Sequence, residues 1–349
     1  MPTLRDVARR VGVSVMTVSR AINHPEAVHP ATLRKIRQAI EDLDYVPNRI
    51  ARSLVSARTE TIALLIPDVT NPFFTRLSRG AEDAARARGY RLILCNTDEN
   101  PEVERQYLRM LRTAQVDGLI ISVCGDASAD ALRDLGASPS RVVLVDRTLP
   151  DDLGLDTVTG DDRQAAYRLL QQVLADGHTR IAFVLGSLTV SVVRDRFAGA
   201  RAAIAEAGLP WRPDDVLTGV APRDESTLDA FLERVLAGPQ PATAVFAWNN
   251  LAAAETYRIV RRAGLRVPED VVIASFEDPD PFGITPGYFI VARQHPYDLG
   301  REAASRLFMR LEGAAPPAPA RLVVPADIVV GGRSLRQPAR TAARPAAES

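Results

Sequence analysis

Hydrophobic positions along the 349-residue chain follow two different rhythms. Up to about residue 45, apolar residues recur every three or four positions. Leu4, Val7, Ala8 and Val11 form one helical stripe, which Gly12 breaks. Ser14 is a suitable N-cap for a second helix reaching about Asn23. After the loop NHPEAVH, Pro30 suits the first turn of a third helix with the buried stripe Leu33, Ile36, Ile40 and Leu43, and Pro47 ends it. From Thr61 onward the rhythm changes. Strand candidates at 62–66, 91–96, 118–122, 141–146, 180–186, 243–248 and 271–276 alternate with helices at 75–88, 101–114, 162–176, 195–207, 226–237, 250–263 and 297–312. Near-continuous β-branched runs between amphipathic helices predict parallel sheets covered on both faces. There are too many strands for one comfortable sheet, so the expectation is an α/β core of two doubly wound subdomains. Ligands of such sheets sit at the carboxyl ends of the strands. The tail at 335–349 is rich in Pro, Ala and Arg without a period and is predicted to fray.

Composition adds an asymmetry. Apolar residues at 46% and charged residues at 25% are ordinary for a folded soluble chain. The net charge is zero, yet residues 1–60 hold ten Lys/Arg against six acids, so the head is +4 and the remainder −4. A basic head on an acidic body suggests a nucleic-acid module joined to a second body, although a small charge excess is also found on plain solvated surfaces. Ala8, Gly12 and Val18 have the spacing of a helix-turn-helix, which other three-helix bundles share. No apolar run approaches the roughly 20 residues of a membrane span. The charged start MPTLRDVARR is unlike a secretory signal, so a cytoplasmic location is expected. Cys95 and Cys124 lie inside apolar runs and read as core residues. The chain has no G-x-S-x-G, P-loop, G-x-G-x-x-G or H-E-x-x-H, and its four histidines are scattered. Enzyme activity, a cofactor and a metal are therefore not expected.

The run TLRDVARRVGVSVMTVSRAIN, followed by VHPATLRKIRQAIEDLDYVPNRIARSL, closely resembles the amino-terminal head of the lactose/galactose-repressor (LacI/GalR-type) transcription factors. The remainder resembles that family's effector core, which is itself similar to periplasmic sugar-binding proteins. The resemblance implies a helix-turn-helix head at 1–47, a hinge helix and linker at 48–60, and an effector-binding and dimerisation core at 61–334. Within that core the expected amino subdomain is about 61–158 and 289–318, and the carboxy subdomain about 159–287 and 320–334. It also implies that the second helix enters the major groove of a pseudo-palindromic operator, with Val15, Met16 and Arg20 at base edges. Arg20 can grip guanine O6 and N7, whereas Val15 and Met16 could read only thymine methyls or shape, or simply pack. Thr17 and Ser19 are then phosphate contacts that set register, and Thr3, Ser14 and Asn23 are further DNA-binding positions. Asn48, Arg49, Arg52, Ser53 and Leu54 fall on the family's hinge helix, where Leu54 would wedge into the minor groove.

The same resemblance assembles an effector pocket from Asn71, Phe73, Phe74, Ser122, Asp146, Arg147, Arg196, Trp248, Asn249, Glu277 and Gln294. Aromatic faces and amide or charged groups in one cleft suit a sugar, a sugar acid or another small polar effector. Phe73 and Phe74 could instead be core, Asp146 and Arg147 could merely pair, and Arg194 competes with Arg196. The chain departs from the family at Asn249-Asn250, where Asn-Asp is common; this is expected to be neutral for helix capping. It departs again at Glu277, which replaces a shorter Asp. Trp248 is a candidate second stacking face or a core residue. Only Leu335 lies beyond residue 330 as a heptad position, so a homodimer without higher order is expected. The expected activity is that of an effector-controlled DNA-binding regulator, a repressor rather than an activator. A sugar transport protein and a sugar-modifying enzyme are the alternatives.

Overall fold

The computed structural model describes residues 2–45, 59–113, 116–135, 141–219, 225–279, 289–331 and 333–335. The chain forms two compact units, Met1–Thr59 and Glu60–Ser349. The small unit holds α1 (Leu4–Val11), α2 (Val15–Asn23) and α3 (Pro30–Asp42). They close over Val7, Ala8, Val18, Ala21, Ile36, Ala39 and Tyr45. Each end has a local cause. Thr3 and Asp6 form a reciprocal capping box on α1, and Gly12 takes a left-handed φ of 74° while its N–H donates to the Ala8 carbonyl. The Ser14 hydroxyl accepts from the Thr17 N–H and so starts α2.

The large unit is built on two sheets. Strands β1 (Thr61–Ile66), β2 (Arg91–Asn96), β3 (Gly118–Ile121), β4 (Val142–Val145), β5 (Asp156–Gly160) and β11 (Arg321–Val324) form the first, in the order β11-β5-β4-β3-β1-β2. All its pairings are parallel. The second contains β6 (Ile181–Val184), β7 (Val216–Leu217), β8 (Ala244–Ala247), β9 (Val272–Phe276), β10 (Phe289–Arg293), β12 (Asp327–Val330) and β13 (Arg333–Leu335). Its order is β13-β12-β10-β9-β8-β6-β7, with the β10–β12 and β12–β13 pairs antiparallel. Helices α4 (Pro72–Arg86), α5 (Pro101–Thr113), α6 (Ser128–Leu135), α7 (Asp162–Ala175), α8 (Ser191–Glu206), α9 (Glu225–Leu236), α10 (Asn250–Arg262) and α11 (Pro296–Leu311) connect the strands. Helices α4 and α11 cross with their backbones touching. A Cβ at Gly80 would lie 1.9 Å from the Tyr297 carbonyl oxygen, and one at Gly300 1.9 Å from that of Leu77.

The two-sheet α/β architecture agrees with the pattern reading, and the chain's crossing points are a correction to it. Strand β10 extends the second sheet beside β9, although 289–318 was expected in the amino subdomain. Strand β11 joins the first sheet beside β5, although 320–334 was expected in the carboxy subdomain. The backbone crosses after Gly160, after Arg293 and after Val324 because each of these strands completes a ladder that its neighbour leaves open. Strand β5 escaped the periodicity because DTVTG carries one aliphatic side chain, Val158.

Candidate effector cleft and nucleic-acid interface

On the small unit, α2 turns Val18 and Ala21 inward. Its other face leaves Val15 43% and Met16 71% exposed, with Arg20 also exposed. Two solvated apolar side chains beside an arginine form a surface suited to thymine methyls and a guanine edge. Thr17 and Ser19 are half-buried on the same helix, Ser14 and Thr3 are exposed at helix starts, and Asn23 is the last residue of α2. Ser14 and Thr17 already hydrogen-bond each other through their hydroxyls at 2.8 Å. The hinge positions Asn48, Arg49, Arg52, Ser53 and Leu54 lie outside the described residues.

In the large unit a cavity of about 470 Å³, including its open mouth, lies at the carboxyl ends of strands from both sheets. Asn71, Phe73, Phe74, Asp146, Arg147, Arg196, Trp248, Asn249 and Glu277 line it. Ser122 and Gln294 do not; both are buried, and Gln294 lines a neighbouring cavity together with Phe73, Asn250 and Glu277. Asp68, Glu99, Val192 and Leu251 also line the cavity and were not anticipated. Asp68 and Glu99 follow β1 and β2, so strand-end position was the available signal.

On the first-sheet side, Asn71 caps α4 by accepting from the Phe73 N–H at 2.9 Å. Phe73 and Phe74 meet edge to face, 5.1 Å between centroids, and belong to the core as well as to the cavity wall. Asp146 directly follows β4 and has a φ of 66°, unusual for a residue with a side chain. It accepts a long hydrogen bond from the Ser122 hydroxyl at 3.4 Å. Burial drives its carboxyl pKa up to about 7, against the opposing pull of Arg147. Arg147 is itself buried and grips Glu99 with both terminal guanidinium nitrogens, at 2.7 and 2.8 Å. It also donates to the Val123 carbonyl at 3.0 Å. Its Nε has no hydrogen-bond partner and lies 3.7 Å from Asp146 Oδ2.

The second-sheet side repeats this arrangement. Glu277 directly follows β9 with a φ of 55°. Burial raises its pKa and the Arg196 charge opposes the rise. Arg196 donates to Asp162 at 2.7 Å, to the Trp248 carbonyl at 2.7 Å and to Gln294 Oε1 at 2.9 Å. Its Nη2 is 3.5 Å from Glu277 Oε1, and its guanidinium lies 3.9 Å from the centroid of the Phe276 ring. Trp248 lines the cavity and also packs on the second-sheet core against Gly186. Arg194 pairs instead with Asp126, at 2.9 Å, outside the cavity lining.

Asn250 corrects an expectation. Asn249 makes the α10 cap, accepting from the Ala252 N–H, which frees Asn250 for another task. Its Nδ2 donates across the cleft to Asn71 Oδ1 at 3.1 Å, a bond that an aspartate could not donate.

Residues 59–327 match the family model described as periplasmic binding proteins and sugar binding domain of LacI family, and residues 3–48 match bacterial regulatory proteins, lacI family. The chain belongs to the LacI family. It is 33% identical over 316 residues to the HTH-type transcriptional regulator KdgR of Bacillus subtilis, spanning 89% of this chain and 91% of KdgR. Identity to the HTH-type transcriptional repressor PurR of Photobacterium profundum is 33% over 314 residues, spanning 89% of this chain and 92% of PurR. The solved complex of the transcriptional regulator CelR with cellobiose superposes with a TM-score of 0.69 at 27% identity, covering 95% of this chain and all of CelR. This LacI-family chain is a DNA-binding transcriptional regulator with an effector-binding core, and not an enzyme. No described helix is long and apolar enough to cross a membrane.

Proposed function

We propose that this regulator is a cytoplasmic homodimeric repressor whose grip on a pseudo-palindromic operator is controlled by a sugar-like effector in the cleft. Val15, Met16 and Arg20 read base edges. Thr17 and Ser19 hold phosphates, Thr3, Ser14 and Asn23 add further DNA contacts, and Asn48, Arg49, Arg52, Ser53 and Leu54 form the hinge that folds on DNA. The observation that carries the effector reading is the matched pair of strand-end carboxylates, Asp146 and Glu277. Each is held in left-handed backbone beside a buried arginine on the wall of one cavity. Backbone strain repeated at equivalent places in two sheets supports a binding role for both. Ser122 and Gln294 serve from outside the cavity lining, orienting Asp146 and Arg196.

The dimer reading is supported by β2, an edge strand of the first sheet. It leaves Ile93 and Leu94 each 41% exposed, with Leu94 lining a groove formed with Arg79, Arg86 and Tyr90. An exposed apolar edge is a hazard unless a partner covers it. The test is a gel shift of full-length protein on duplexes selected from a random pool, across a salt series and with added sugars. A selected palindrome whose complex is released by a sugar supports the proposal. Binding without sequence preference, or indifference to every ligand that the protein binds, contradicts it.

A further inference from the structure

The charges around the cleft select the chemistry of its occupant. Two cations line the cavity, Arg147 and Arg196, against four carboxylates, Asp68, Glu99, Asp146 and Glu277. Both guanidiniums are already matched, Arg147 by the fork to Glu99 and Arg196 by Asp162 at 2.7 Å. Above the Asp146 pKa of about 7, Asp146 and Glu277 therefore stand at the cavity as further negative charge, with no additional lining cation to balance them. An anionic ligand would be desolvated beside carboxylates of its own sign, an arrangement that works against binding.

Hydrogen-bond geometry narrows the choice further. Arg147 Nε, buried and without a hydrogen-bond partner, lies 3.7 Å from Asp146 Oδ2, and Arg196 Nη2 lies 3.5 Å from Glu277 Oε1. A group seated at either pair has to accept from a guanidinium N–H and donate to a carboxylate. An ammonium only donates, and an ionised carboxylate or phosphate only accepts. A hydroxyl does both. On the reading that this cleft is the effector site, we propose that the effector is an uncharged polyhydroxylated ligand, a neutral sugar without carboxylate, phosphate or amino group. Its hydroxyls bridge Arg147 to Asp146 and Arg196 to Glu277.

The test is titration calorimetry on the full-length protein at pH 8, preceded by a melting-point screen of neutral aldoses, ketoses, polyols and disaccharides. Glucose, cellobiose and ribose are compared with glucuronate, glucosamine, glucose 6-phosphate and ribose 5-phosphate. The neutral ligand that binds should exceed its charged counterparts by at least about 30-fold. A charged counterpart that binds as tightly or more tightly overturns the proposal. Glu99→Gln leaves Arg147 facing Asp146 as its one remaining carboxylate partner and should raise the affinity for the uronate or phosphate at least about tenfold. Unchanged discrimination in that variant overturns the charge argument. Silence across the neutral panel, or a neutral ligand whose affinity survives both Asp146→Asn and Glu277→Gln, would instead remove the underlying reading of the cleft.

Discussion

Asp146 carries the cost of the cleft in its own titration. Its carboxyl has a pKa of about 7 in the folded chain, against 3.8 as the ordinary value, and burial is the main cause. The folded state thus holds a proton that the unfolded chain has released. The stability this represents is complete below about pH 4 and is lost as pH rises through about 7. Glu277, raised by burial as well, slopes in the same direction. Asp146→Asn should flatten the decline in melting temperature between pH 5 and 8, leaving the variant the more stable form at pH 8. It should also weaken effector binding at pH 8 at least tenfold, because an amide cannot replace the ionised acceptor. Parallel melting curves for parent and variant across that range would count against the assignment. Arg196 is less useful as a probe of binding alone. It ties together Asp162, Gln294 and the Trp248 carbonyl, so Arg196→Ala is expected to cost about 3–5 kcal/mol in folding, as loss of one partner of a buried ion pair does.

Elements meet across the cleft through their first turns. Helix α4 offers Asn71 and helix α10 offers Asn250, and the amide bond between them joins the two sheet systems. Because Asn71 Oδ1 also accepts from the Phe73 N–H, its orientation is fixed and the donor has to come from Asn250. Asn250→Asp would oppose two acceptors. It should weaken effector affinity by about 1–3 kcal/mol, the range for a buried group left unsatisfied, with helix content unchanged by circular dichroism. Equal affinity would show that the bridge does not support the bound state. In the head, α2 is the proposed reading element. Arg20→Ala should relax base preference at one symmetric position by about 1–3 kcal/mol per half-site, measured by competition between operator variants. A uniform loss over all sequences would make Arg20 a phosphate contact instead.

At the scale of the whole molecule, the proposed dimer rests on the edge strand β2. Ile93 and Leu94 project from the edge of the first sheet, while its central strands β1, β3 and β4 are fully covered. Leu94→Arg should shift the sedimentation coefficient from dimer to monomer at micromolar concentration and lower operator affinity by at least about 100-fold. The paired half-sites would then no longer be held together. Effector affinity should change far less, since the cavity lies within one chain. A variant that remains dimeric would move the interface to another surface.

Sequence alone determined the elements whose signal is local. The capping residue Ser14, the glycine turn at Gly12 and the apolar stripes sufficed for the three head helices. The β-branched runs sufficed for the central strands of two sheets. Phe73, Asp146, Arg147, Arg196 and Glu277 were assigned through the family resemblance, and of these only Asp146, Arg147 and Glu277 follow directly on strands, where ligands of such sheets sit. Tertiary structure decided what depends on distant partners. β5, β10 and β11 are strands because open ladders accept them, and only their pairing fixes where the chain crosses between sheets. The matching of Arg147 by Glu99 spans 48 positions, and that of Arg196 by Asp162 spans 34. No window of sequence contains either pair. The effective charge of the cleft, and hence the ligand it can hold, is therefore a property of the folded chain.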